Sequence, residues 1–240
     1  MLSKEWAALK NGSDIRGVAS EGIPGADVNL TDPVIEAIAK GFVVFLQNKY
    51  QKKADELTIA IGHDSRISAQ RVKNACIHAI TETGASVADF GLCTTPAMFM
   101  STIDDALNVF ASIMLTASHL PFNRNGLKFF TREGGLEGSD ITEILTYAEA
   151  GSFPVSIAAG NVTEHDYLSR YARHIAETIQ RETGLEKPFD GMKIAVDAGN
   201  GAGGFYAEKV LAPLGADTSG SCFLEPDGTF PNHIPNPEDK

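Results

Sequence analysis

The chain has 240 residues, 43% of them apolar and 21% charged, with a formal net charge of −11. That length suffices for a buried core and one or two domains, and the acidity argues against a nucleic-acid partner, which would require a basic face. Cys76, Cys93 and Cys222 are few and widely spaced, so neither a disulfide framework nor a zinc site is indicated. The stretch from Met1 to Arg16 lacks the apolar centre of a signal peptide, and the longest apolar run, Phe42 to Leu46, is too short to span a membrane. A cytoplasmic protein with no membrane partner is expected.

In chain order, Asn11 to Gly17 reads as a short strand or turn flanked by glycines. Asp32-Pro33 predicts a helix start, with Asp32 as N-cap, followed by Val34, Ile35, Ile38, Phe42, Val43 and Leu46 at helical spacing. Leu57 to Ile61 is a β-branched apolar run of the kind found in buried parallel strands, and it empties into Gly62-His63-Asp64-Ser65-Arg66. A helix is expected next, with Ser68 as its cap, then a strand over Ala85 to Phe90, a helix from Thr95-Pro96, and a strand over Asn108 to Leu115. Lys128 to Phe130 reads as a short return strand and Asp140 to Ala150 as a helix. The small-residue stretch Gly151 to Gly160 marks a domain boundary, giving units 1–158 and 159–240. The second predicts a helix over Tyr167 to Thr183, a strand over Lys193 to Asp197, a glycine-rich turn, a helix over Phe205 to Leu214 and a strand near Ser219 to Leu224. The alternation predicts an α/β fold: a mixed, largely parallel sheet with helices on both faces, followed by a shorter, incomplete α/β unit. An incomplete second sheet would expose apolar surface and favour association.

The segment from Thr116 to Lys128 carries the chemistry. It places the hydroxyl of Ser118, the imidazole of His119, the guanidinium of Arg124 and the ammonium of Lys128 in what Pro121 and Gly126 mark as one loop at a strand end. An isolated loop serine is ordinarily a turn residue. This one sits among cations that would stabilise a transferring phosphoryl group. No G-x-S-x-G elbow supports a hydrolase. Asp64 and Arg66 read as a structural ion pair that braces their own loop, with a role near the active-site loop as the alternative. Arg16, between Asp14 and Gly17, fits a phosphate contact or a solvated turn equally. Gly199, Gly201 and Gly204 match G-x-G-x-x-G after a strand, with Asp217 downstream, so a fragment of a nucleotide-binding oxidoreductase is the alternative. Glycines there also permit tight packing without any ligand. A non-catalytic phosphosugar-binding module is a third possibility, and His233 reads as a surface residue of a proline-rich loop.

Thr116-Ala117-Ser118-His119, with Pro121 and Asn125-Gly126-Leu127-Lys128, closely resembles the serine loop of the α-D-phosphohexomutases, which include phosphoglucomutase, phosphomannomutase and phosphoglucosamine mutases. Ser13 to Gly17 resembles that family's N-terminal arginine motif, Gly62 to Arg66 its Gly-x-Asp-x-Arg segment, and Asp197 to Gly203 the start of its second domain. Pro226 to Pro231 with Pro235-Asn236-Pro237 resembles the stretch preceding its metal loop, so the likeness covers nearly the whole chain in the family's order.

The resemblance implies a four-domain parent enzyme whose first three domains share one α/β type. It implies a phosphorylated Ser118 that exchanges its phosphoryl group with a hexose phosphate through a hexose bisphosphate, interconverting the 1- and 6-phosphates of glucose or mannose. It also implies Lys128 as general acid/base, Arg16 and His119 as supports of the phosphoryl group, and Mg2+ bound by the Ser118 phosphate and by three aspartates of an Asp-Gly-Asp loop. Two departures stand out: Leu120 replaces the usual asparagine after Ser-His, and no Asp-Gly-Asp loop occurs. The sequence thus reads as an N-terminal fragment of a longer protein, and the chain alone is expected to lack mutase activity.

Overall fold

The computed structural model describes residues 2–154, 156–236 and 238; Met1, together with Val155 and Pro237 of the motifs above, lies outside them. Its centre is one mixed sheet. In chain order the strands are β1 (Lys10–Asn11), β2 (Asp14–Val18), β3 (Thr58–His63), β4 (Ser86–Leu92), β5 (Ala111–Leu115), β6 (Arg124–Thr131), β7 (Gly134–Gly135) and β8 (Val162–Glu164). They are arranged β1-β2-β6-β5-β3-β4-β8, with β7 added to β6. Strands β5, β3, β4 and β8 run parallel, whereas β6 returns antiparallel to β5 and β2 antiparallel to β6. Strand β8 pairs with β4 through Val87↔Val162, so one edge of this sheet comes from beyond residue 158.

The central strands alternate between two apolar faces. Ile59, Ile61, Ile113, Leu115, Leu127 and Phe129 point to a core built with helices α2 (Asp32–Tyr50), α3 (Ala69–Glu82) and α5 (Gly138–Ala150). Ala60, Phe90, Met114 and Phe130 point to a second cluster with α4 (Thr95–Ile103) and α6 (Tyr167–Thr183). Burial on both faces explains why these strands read as continuous apolar runs. A short helix, α1 (Lys4–Ala7), precedes β1. Gly12, at φ 60°, makes the tight turn between β1 and β2.

Several local expectations change. Helix α2 begins at Asp32 itself with Thr31 at the cap position. Ser68 precedes α3 but its side chain makes no capping bond; its hydroxyl instead accepts from Asn125 Nδ2 at 2.9 Å. The return strand is eight residues long, so Gly126 and Lys128 lie on β6 rather than in a loop. Gly126 is the reason: a Cβ there would lie 2.3 Å from the Ile15 carbonyl oxygen, and its absence lets β2 close onto β6. Toward the C-terminus no strand ladder forms among the described residues: 193–197 meets 217–222 through isolated parallel bridges, Lys193↔Asp217 and Asp197↔Cys222. The helix expected over 205–214 is a π-helical turn, Tyr206–Leu211.

Candidate active site

Strands β3 and β5 are parallel neighbours, with His63 opposite Leu115, so the loops that leave their C-terminal ends emerge side by side. The Asp64 N–H donates to the Leu115 carbonyl at 3.1 Å and starts the coupling between them. Arg66 completes it. Its side chain is fully buried, and its guanidinium donates to the carbonyl oxygens of Ser118 (2.8 Å), Leu120 (2.8 Å), Pro121 (2.7 Å) and Arg124 (3.0 Å). Its Nε donates to the Asp64 carboxylate at 3.2 Å. The serine loop is thus folded around a buried cation. Burial pushes the Arg66 pKa down from its ordinary value; Asp64 opposes that shift and the charge of Arg16 adds to it. The Asp64–Arg66 pair is therefore an ion pair and, at the same time, the brace of the serine loop.

Asp64 also accepts from Thr116 Oγ1 at 2.7 Å, and that oxygen accepts from the Ser118 N–H at 3.1 Å. Pulled from both sides, Ser118 adopts φ 56°, the left-handed region that a residue with a Cβ normally avoids. Such strain persists only where the surroundings impose it, and it concentrates at functional sites. Ser118 and His119 are exposed, with Ser118 Oγ 3.2 Å from His119 Nδ1.

Arg16 and Lys128 are brought together on the neighbouring strands. The β2–β6 register sets Asp14 opposite Lys128 and Arg16 opposite Gly126. The Asp14 carboxylate, largely buried, accepts from Lys128 Nζ at 2.5 Å and from Arg16 Nη2 at 2.7 Å. Arg16 Nε is buried without a partner among the described residues, which leaves a donor available for an anion. Asp14, Thr116 and the clamping role of Arg66 were missed in the sequence. Alternation along a strand gives Asp14 and Arg16 a common face, a signal that the sequence does contain.

A cleft of about 290 Å³ opens at Ser118 and is lined by Asp64, Ser65, Gly199, Phe230 and His233, among others. Two of the three motif glycines, Gly199 and Gly204, are explained by packing. A Cβ at Gly204 would lie 2.1 Å from the Leu224 carbonyl oxygen, and one at Gly199 would lie 2.9 Å from the His233 ring. A π-helical turn follows these glycines in place of the regular helix N-terminus that a dinucleotide's phosphates would need.

Among the described residues no three of His, Cys, Asp and Glu come together as a cation site. Asp64 is engaged by Arg66 and Thr116, and Asp197 by the Gly199 N–H and His233. These residues do not by themselves fit Mg2+, and no step below passes through it.

Residues 8–154 match the model of phosphoglucomutase/phosphomannomutase α/β/α domain I, and residues 169–240 match domain II. A phosphoglucomutase of Neisseria meningitidis is 33% identical over 93% of this chain and 44% of its own length. A phosphomannomutase/phosphoglucomutase of Pseudomonas aeruginosa is 28% identical over 96% of this chain and 45% of its own. A crystal structure of a phosphoglucomutase/phosphomannomutase family protein from Burkholderia thailandensis superposes with a TM-score of 0.77 at 25% identity, over all of this chain and 48% of that one. The chain spans less than half the length of these relatives. With both family domains matched in order along the chain, the chain belongs to the phosphoglucomutase/phosphomannomutase family.

Proposed function

We propose that Ser118 carries the phosphoryl group of an intramolecular phosphotransferase that interconverts the 1- and 6-phosphates of a hexose, glucose or mannose, through a hexose 1,6-bisphosphate. The observation that supports this best is the Ser118 turn: a strained, exposed hydroxyl held from beneath by a buried guanidinium and flanked by an imidazole. Positioning and electrostatics are what phosphoryl transfer asks of a protein. In this reading phosphorylated Ser118 gives its phosphoryl group to the free hydroxyl of a hexose monophosphate, the resulting bisphosphate reorients, and Ser118 Oγ takes the other phosphoryl group, which leaves the sugar phosphate moved and the phosphoserine restored. His119 and Arg16 offset its charge, and Lys128, poised on Asp14, moves the proton of the sugar hydroxyl.

The reading keeps two successive units of a cytoplasmic enzyme, 1–158 and 159–240, with β8 of the second lent to the sheet of the first. No helix among the described residues is long and apolar enough to cross a membrane. Mg2+ belongs to the complete enzyme, and the 240-residue chain assayed alone is expected to show no turnover, because its described residues supply no carboxylate cluster for the ion. Incubation of the full-length enzyme with glucose 1,6-bisphosphate followed by peptide mapping is expected to place one phosphoryl group on Ser118 and none on the Ser118→Ala variant. A phosphoryl group found reproducibly on another residue would refute the assignment.

A further inference from the structure

The cleft beside Ser118 has a second wall with no part in the steps above. Loop 226–235 crosses onto the loop that follows β3. Gly228 packs there so closely that a Cβ would lie 2.3 Å from the Ser65 carbonyl oxygen, and the Phe230 ring sits over the Arg66 guanidinium, 5.5 Å from its centroid. Phe230 itself adopts φ 50°. The far end of the loop is fastened by His233. Its Nδ1 donates to the Ile234 carbonyl at 2.9 Å and its Nε2 to the Asp197 carboxylate at 3.3 Å. A carbonyl and a carboxylate can only accept, so this pair of bonds requires a proton on each ring nitrogen, the imidazolium form. The ring is seated over Gly199, where a Cβ would lie 2.9 Å from it, and Phe223 meets it edge-on with centroids 5.8 Å apart.

We propose that His233, as an imidazolium paired with Asp197, is a positioning residue for Ser118: it holds loop 226–235 and turn 197–202 closed around the serine's cleft and releases them when it loses its proton. Its importance for phosphoryl transfer rests on the reading of Ser118 given above. The titratable groups around the ring are Asp197 on the turn and Cys222, whose thiol is pushed up by burial and by Asp197. Ile234 contributes a carbonyl and Phe223 an uncharged ring. The Ile234 carbonyl and then Asp197 raise the His233 pKa above its ordinary value. A raised histidine pKa means that the latch is fully formed below the ordinary histidine range and is lost as pH rises through the raised value.

The test compares the protein with Asp197→Asn and His233→Gln. The NMR titration of the His233 ring is expected above the ordinary value of about 6.5, moving back toward it in Asp197→Asn. Amide protection in 197–202 and 226–235, taken relative to the intrinsic exchange rate at each pH, and the rate of Ser118 phosphorylation by glucose 1,6-bisphosphate in the full-length enzyme, are each expected to change about threefold or more across that titration. His233→Gln should abolish the pH step in both while leaving the melting temperature within a few degrees, which a merely structural role would not produce. A His233 that titrates at or below the ordinary value, or a pH step in amide protection that survives His233→Gln, overturns the proposal. If Ser118 accepts no phosphoryl group at any pH, the phosphoryl-carrier reading fails instead, and the titration and exchange results still decide the latch.

Discussion

Replacing Arg66 with methionine tests whether the nucleophile's geometry depends on the buried guanidinium. The substitution roughly conserves volume but removes donors to four carbonyl oxygens and to Asp64. Hydrogen bonds to a charged group contribute about 1.5–3 kcal/mol each, and removing one member of a buried ion pair costs about 3–5 kcal/mol. These figures do not add, because the exposed parts of the loop at Ser118, His119 and Pro121 can turn carbonyls toward water. The expected net loss is therefore about 3–5 kcal/mol, set by the pair. Solvent screening does not discount it, since the Arg66 side chain is fully buried. Arg66→Lys keeps the charge but offers at most three donors without the planar fork, so about half the loss is expected. Urea denaturation gives the stability difference, and amide exchange over 117–125 separates a loosened loop from a loosened domain. A methionine variant destabilised by less than about 1 kcal/mol, with loop protection unchanged, would show that the carbonyl cage is not what holds Ser118.

The strain at Ser118 predicts that Ser118→Gly is more stable than Ser118→Ala by about 1 kcal/mol, since only glycine relaxes at φ 56°; equal melting temperatures would remove the strain argument. Lys128→Met in the full-length enzyme is expected to lower kcat by about 10²–10⁴-fold with little change in KM, as for loss of a general acid/base; a change in KM alone would make Lys128 a binding residue. Burial pushes the Cys76 thiol far up and that of Cys93 to about 12, so a thiol reagent near neutral pH should label Cys222 alone until the protein is denatured.

The first unit was legible because its signals are local and redundant. Leu57 to Ile61 could only be a buried strand, and the apolar stripe after Asp32-Pro33 could only be a helix facing it. The second unit misled for a physical reason. Lys193 to Asp197 has strand composition, but its partner segment offers Gly220, Ser221 and Cys222, and the two meet through single bridges rather than a ladder. The chemistry of the serine loop was visible as a cluster of residue types. Its support was not, because Arg66, Asp64 and Thr116 come together only through the parallel register of β3 and β5, and one sequence carries no register between strands that far apart. The glycine pattern at 199–204 was ambiguous because close packing and ligand approach demand the same absence of a Cβ. Leu224 and His233 resolve it only in three dimensions.

The same distinction between side chain and backbone bears on Leu120, which stands where the resemblance leads one to expect asparagine. Loss of the asparagine's amide donor would, taken alone, be expected to alter the loop's hydrogen bonding. The structure shows that this position supplies its main chain: the Leu120 carbonyl accepts from Arg66 at 2.8 Å, and its N–H donates to the Ala117 carbonyl at 3.1 Å. Both bonds are available to any residue that has a backbone N–H, so the clamp does not read the side chain at 120. Leu120→Asn is then expected to shift stability by no more than about 0.5 kcal/mol, the range of substitutions that touch no special feature. Protection of the Ser118 turn in amide exchange should be unchanged. A gain well above that figure, with tighter protection over 117–124, would mean that an asparagine amide makes a bond the present loop lacks. The turn would then be held by its own sequence as well as by Arg66 beneath it.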